Sequence, residues 1–267
     1  MSLIQALIVA IVEGITEFLP ISSTAHMKFT NPIIGVGDGA FTDMFEVVIQ
    51  LAAILSVVVV YWKKFVNFKE LGFYLKLIVA VFPALIGGLL LKKYIDNALD
   101  SLVFISVVMI LGGVLLLFVN SWFKSDSISS EDDISYMKAF KIGCFQVLSI
   151  IFPGLSRSAA TIVGGMSQKL TRTVAAEFSF FLAVPTMFAA SVKSFWDVYQ
   201  DNPEVLVSDN FKILGFGAII SFIVALFAVK FFIGYLQKHG FKLFGYYRIG
   251  LGIIMLILFF SGTIVVH

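Results

Sequence analysis

One cysteine, Cys144, is all the chain contains, so no intramolecular disulfide can form and a cysteine-based metal cluster is excluded. Charge is scarce as well. Asp, Glu, Lys and Arg supply 13% of the residues against 59% hydrophobic ones, and mean hydropathy is +0.99. That balance excludes a water-soluble domain and defines a chain that crosses a bilayer repeatedly. Residues 1–12 lack the basic opening of a secretory signal and run straight into Glu13, so they read as part of the membrane domain and not as a cleaved leader. The formal net charge of +2 says little about partners, because the distribution of charge carries more information than its sum.

Charge-free windows recur at 47–62, 77–91, 101–123, 178–192, 213–229 and 249–266. Each approaches the roughly 20 residues that span hydrocarbon once its amphipathic ends are added. The expectation is an all-α polytopic membrane protein with six spanning helices in one integral membrane domain, residues 1–267. Two polar stretches interrupt this pattern: Glu13 to His26, which contains Pro20-Ile21-Ser22-Ser23-Thr24, and Pro153 to Thr161, which contains Gly154, Ser156, Arg157 and Ser158. A charge at bilayer depth costs roughly 2.5 to 3.5 kcal/mol even on lenient insertion scales, so such groups usually face a polar cavity.

The two stretches are related by a shift of 133 residues, which lays Glu13 on Gln146, Pro20 on Pro153 and Ser23 on Ser156. The match continues with Lys92 opposite Lys230 and Gly112 opposite Gly252, giving halves of residues 1–124 and 134–267. Each half is one polar segment followed by three spans, and an odd number of spans inverts the second copy. Charge supports the inversion. With the loop of Lys63, Lys64, Lys69 and Lys76 inside, Lys124, Lys138, Lys141, Lys169, Arg172, Lys230, Lys238, Lys242 and Arg248 fall inside too. Only Lys28, Lys92, Lys93, Lys193 and Lys212 fall outside, with both termini. Pro20 and Pro153-Gly154 break their helices, so each polar segment is expected to form a re-entrant hairpin whose exposed backbone meets its counterpart near the midplane.

Glu13 and Glu17 are four residues apart, which places both carboxylates on one helix face at a spacing that suits sharing a divalent cation or dividing base and metal-ligand roles. Ser22, Ser23, Thr24 and His26 add hydroxyls and an imidazole just past the first break. Arg157 offers a planar fork for phosphate oxygens, with Ser156, Ser158 and Thr161 around it and helix N–H groups following Gly154. The set suits phosphoryl transfer. The competing readings are a buried structural cluster of Glu13 and Glu17 with Arg157, and backbone satisfaction by Ser158 and Ser22. Glu46, Gln50, Gln146 and Glu177 are cavity candidates outside the catalytic set, and 126–133 reads as a solvated connector.

With these residues in place, the chain resembles the undecaprenyl-pyrophosphate phosphatase family of bacterial membranes, the bacitracin-resistance type, over essentially its whole length. Glu13-x-x-x-Glu17 fits the (E/Q)xxxE motif, Pro153 to Thr161 fits PGxSRSxxT, and Ser22 to His26 matches the segment carrying the family's essential histidine. The resemblance implies hydrolysis of undecaprenyl diphosphate to the monophosphate, which recycles the lipid carrier of cell-wall synthesis and confers bacitracin resistance. It implies a divalent cation, magnesium or calcium, held by Glu13 and Glu17. Glu17, Ser23, His26 and Arg157 are then the catalytic residues, with Ser22, Ser156, Arg157 and Thr161 on the substrate phosphates. It also implies interlocked repeats, a homodimer, no nucleic-acid partner, and a cytoplasmic-membrane protein whose site opens outward. Whether Ser23, His26 or water attacks phosphorus stays open. The alternative is a carrier for a phosphorylated polyprenyl lipid, since inverted repeats with broken helices also build transporters.

Overall fold

The computed structural model describes residues 1–67, 71–123 and 127–264, with the side chains of Lys92, Asp96 and Asn97 outside that description. The first half comprises α1 (Leu3–Thr16), α2 (Ser23–Ile33), α3 (Ala40–Val60), α4 (Trp62–Val66), α5 (Leu71–Leu90), α6 (Lys92–Leu99) and α7 (Leu102–Trp122). After a connector come α8 (Tyr136–Ile151), α9 (Arg157–Ser167), α10 (Arg172–Asp201), α11 (Ser208–His239) and α12 (Lys242–Phe260). Helices α3, α5, α7, α10, α11 and α12 are long and apolar enough to span a membrane, as the hydropathy windows require. The most apolar stretch, in α7, reaches a mean hydropathy of 3.0. Polar residues start the helices: Ser2, Ser101, Ser135 and Thr171 each cap an N-terminus by accepting from a backbone N–H three residues on. Such a cap is worth about 1 kcal/mol.

The polar segments are hairpins that return to the end where they began. Gln5 near the start of α1 donates from Nε2 to the carbonyls of Ile34 and Gly35, just past α2, at 3.0 and 3.1 Å. Beyond α9, the Lys169 carbonyl accepts from Ser127 and Ile128 at 3.0 Å, in the connector that leads into α8. The first helix stops sooner than its sequence suggests. Helical pattern extends to Leu19, yet α1 ends at Thr16 with Glu17 as C-cap, because Pro20 excludes helix at the residue before it and the chain has begun to turn.

Packing pairs the halves reciprocally. Helix α1 lies against α11 while α8 lies against α5, and α3 meets α10 as α7 meets α12. Several of these contacts are backbone to backbone. A Cβ on Gly113 would sit 2.8 Å from the Gly245 carbonyl, and one on Gly14 the same distance from that of Ser221. Small residues let helices approach closely where lipid provides no hydrophobic driving force. Phenylalanines fill the interior around the hairpins: Phe18, Phe180, Phe232 and Phe244 form a chain of ring contacts through the core.

The two ends of the bundle are built differently. One end gathers the connector, with Lys64 on Glu131 at 2.8 Å and Lys76 on the carbonyls of Glu131 and Asp132. The other holds Met1 with Ile34, Val205 and Leu206, and Ile264 with Phe29 and Leu102. Lys69 and Lys124, counted among the inside cations, lie outside the described residues. Arg248 requires a correction: counted among the inside cations, it is a fully buried residue of α12.

Candidate active site

Both hairpin breaks end in the same way. Ser22 (φ 70°) and Ser156 (φ 75°) hold left-handed backbone uncommon for a residue with a Cβ. Each then caps its helix, accepting from Ala25 and Ala159 at 3.3 Å. The caps correct the register of the sequence comparison by one residue. Ser22, not Ser23, corresponds to Ser156, and Ser23 corresponds to Arg157. A cap spends its hydroxyl on its own helix, which leaves Ser23 and Arg157, the first residues of α2 and α9, to project from two broken helices.

These two side chains meet on one carboxylate. Ser23 Oγ donates to Glu17 Oε2 at 2.6 Å, and Arg157 Nη2 donates to Glu17 Oε1 at 2.6 Å. Arg157 Nη1 donates to the Ser179 carbonyl at 3.0 Å, while Nε has no partner among the described residues. A third link joins the hairpins, from Ser158 Oγ to the Leu19 carbonyl at 3.0 Å, and Ser156 Oγ lies 3.0 Å from Ser158 Oγ. Glu17, Ser22, Ser23, Thr24, Ser156, Arg157 and Ser158 line a cavity of about 640 Å³. Lys28, Asp43, Glu46, Gln50, Asp100 and Met187 also line it.

The remaining expected site residues stand behind this wall. Glu13 is fully buried beside Glu17, and among the described residues no N–H or hydroxyl donor reaches either of its carboxylate oxygens. Thr161 Oγ1 donates to the Arg157 carbonyl at 2.9 Å and pairs with Ser179 Oγ at 2.6 Å, beneath Arg157 instead of in the cavity. His26 is buried with both ring nitrogens engaged: Nδ1 with the Ser22 carbonyl and Nε2 with the Tyr247 hydroxyl, each at 2.7 Å. A carbonyl only accepts, so Nδ1 carries a hydrogen. Of the candidates left outside the catalytic set, Glu46 accepts from Asn31 at 2.7 Å and Glu177 from Tyr61 at 3.2 Å.

Tyr247 and Arg248 escaped the sequence reading. The guanidinium of Arg248 donates to the carbonyls of Pro20, Gly154 and Leu155 at 3.0, 2.9 and 2.7 Å, inside both breaks. A lone cation at the edge of an apolar window reads as an interfacial charge. The only signal against that was its place between Gly245 and Gly252, whose spacing announces a close helix pair.

A multi-pass helical membrane protein that brings a serine, a carboxylate and an arginine to one cavity from two broken helices has the residue types that phosphoryl transfer uses. A family model described as bacitracin resistance protein BacA matches residues 6–254. The chain is 55% identical to an undecaprenyl-diphosphatase of Flavobacterium psychrophilum, over 97% of each chain. It is 47% identical to one of Porphyromonas gingivalis over 98% of this chain and 99% of that one. With one of Bdellovibrio bacteriovorus it shares 44% identity over 98% of each. The chain belongs to the bacitracin resistance protein BacA family.

Proposed function

We propose that the chain hydrolyses undecaprenyl diphosphate to undecaprenyl phosphate and inorganic phosphate. The relatives' name supplies the substrate, and the shared carboxylate of Ser23 and Arg157 is the observation that carries the chemistry. The Ser23 hydroxyl is the nucleophile. Its oxygen attacks the terminal phosphorus, its proton passes to Glu17 Oε2, and the bond to the bridging oxygen breaks to release the lipid monophosphate. Glu17 passes that proton to the departing monophosphate oxygen and becomes a carboxylate again. It then takes a proton from the water that attacks the phosphoserine, so that the bond from phosphorus to Ser23 Oγ breaks, inorganic phosphate leaves and the Ser23 hydroxyl is restored. The Arg157 fork and the backbone N–H groups opening α2 and α9 stabilise charge on the phosphoryl oxygens. His26 holds the first break through the Ser22 carbonyl, since its Nε2 is already taken by Tyr247.

The residues fit a divalent cation. Two neighbouring buried carboxyls, Glu13 and Glu17, with no donor among the described residues on either Glu13 oxygen, are what a hard cation would satisfy. Held there, the cation would neutralise charge on the diphosphate. The site faces the outer surface and both termini lie outside, a reading supported by the basic residues gathered at the connector end. The reciprocal packing and matching caps likewise support two inverted repeats.

The test is phosphate release from a polyprenyl diphosphate by the purified protein in detergent. Release with magnesium or calcium, abolished by EDTA, is the expected result. Lipid binding without release would favour the carrier reading, and full activity in EDTA would remove the cation.

A further inference from the structure

We propose that Arg248 is a positioning residue for phosphoryl transfer, a single buried guanidinium that sets the two hairpin breaks, and hence Ser23 and Arg157, in register with one another; this rests on the hydrolase reading above. Arg248 is 0% exposed and comes from α12, which belongs to neither hairpin. Its Nη1 donates both to the Pro20 carbonyl at 3.0 Å and to the Leu155 carbonyl at 2.7 Å, so one nitrogen ties the first break to the second. Nη2 adds the Gly154 carbonyl at 2.9 Å, and Nε anchors the group to the Met109 carbonyl of α7 at 3.2 Å. All these acceptors are neutral carbonyls, and among the described residues Arg248 makes no ion pair.

The position of those carbonyls matters more than their number. Pro20 lies three residues before Ser23, and Leu155 two before Arg157. The hairpins are also joined by Arg157 on Glu17, which are reacting groups, and by Ser158 on the Leu19 carbonyl. Arg248 differs in tying both breaks to helices outside the hairpins, α12 and α7. Its neighbour Tyr247 holds His26, and through it the Ser22 carbonyl, so two successive residues of α12 brace the same backbone. The planar fork is essential to this. An ammonium at its place is a compact charge on a flexible stem and cannot hold carbonyls on both breaks and α7 at these angles. The closest approach of α7 makes room for it: a Cβ on Gly112 would collide with Arg248 Nη2.

The test compares Arg248→Lys with wild type in phosphate release, each assayed well below its own melting midpoint. Displacement of aligned groups by about 1 Å costs up to roughly 10²-fold in rate, so kcat should fall by about that factor with KM for the lipid little changed. The same substitution in a Glu17→Gln background should cost far less, because alignment is worth nothing once the base is absent. Equal losses in both backgrounds, or wild-type turnover by Arg248→Lys, would overturn the proposal. Gly112→Ala, which keeps Arg248 but crowds its fork, should reproduce the kcat loss. If neither variant folds, Arg248 is a purely structural residue and the positioning claim is wrong. Absence of phosphate release from wild type would instead sink the hydrolase reading beneath it.

Discussion

Glu17→Gln separates what Glu17 does as a base from what it does as an ion-pair partner. The amide is nearly isosteric, and its oxygen still accepts from Arg157. It cannot take the Ser23 proton, whose present contact is 2.6 Å. Removal of a general base costs about 10² to 10⁴-fold in rate, and the lower bound alone is about 2.7 kcal/mol of barrier. Binding should respond in the opposite sense. In the free protein Arg157 is neutralised by Glu17 at 2.6 Å, so loss of the carboxylate leaves a cation that attracts the diphosphate more strongly. With divalent cation saturating in both proteins, rapid-quench turnover and equilibrium binding of the lipid diphosphate should thus diverge, with kcat down at least 10²-fold and affinity unchanged or tighter. Glu17→Asp provides the control for geometry. It keeps the charge but draws the carboxylate back by about 1.5 Å, enough to break the bond to Ser23, so it should also lose turnover. If Glu17→Gln retains turnover within tenfold of wild type, or loses binding in parallel, Glu17 is not the base and the assignment of Ser23 falls with it.

Two further outcomes check other parts of the argument. Arg157→Lys keeps a cation but not the bidentate fork, so turnover should fall much more than lipid binding, whereas equal losses would place Arg157 in ground-state binding alone. With Cys144 replaced, a single cysteine between Asp201 and Asp209 should react with an impermeant thiol reagent on intact cells and one at Ser129 should not; the reverse pattern would turn the proposed topology over.

Legibility followed the range of the interactions. The six spans were readable because a lipid-exposed helix must satisfy its backbone internally and its side chains must be apolar, both properties of a local window. The breaks at Pro20 and Pro153-Gly154 were readable for a similar reason, since a proline's missing donor acts on its own neighbourhood. Their helical ends were less so, as α1 shows by stopping at Thr16. The residue types of the site were also visible, because hydroxyls, carboxylates and an arginine stand out in an apolar sequence. Their division of labour was not. Ser22 and Ser23 are adjacent and chemically alike, yet one caps a helix and the other donates to Glu17.

The sequence by itself determined the solvent, the number of spans, the places where helices had to break and the chemical class of the groups at those breaks. Each of these depends on a residue and its near neighbours. Tertiary structure selected, among the readings open for Glu17, its pairing with Arg157 across 140 positions, and it alone decided that Thr161 and His26 turn away from the cavity and that Arg248 sits between the breaks instead of at a membrane surface. Those outcomes depend on how α7, α12 and the two hairpins close around one another. Their small residues permit that closure, but its register is fixed by backbone carbonyls, which every sequence possesses and no sequence displays.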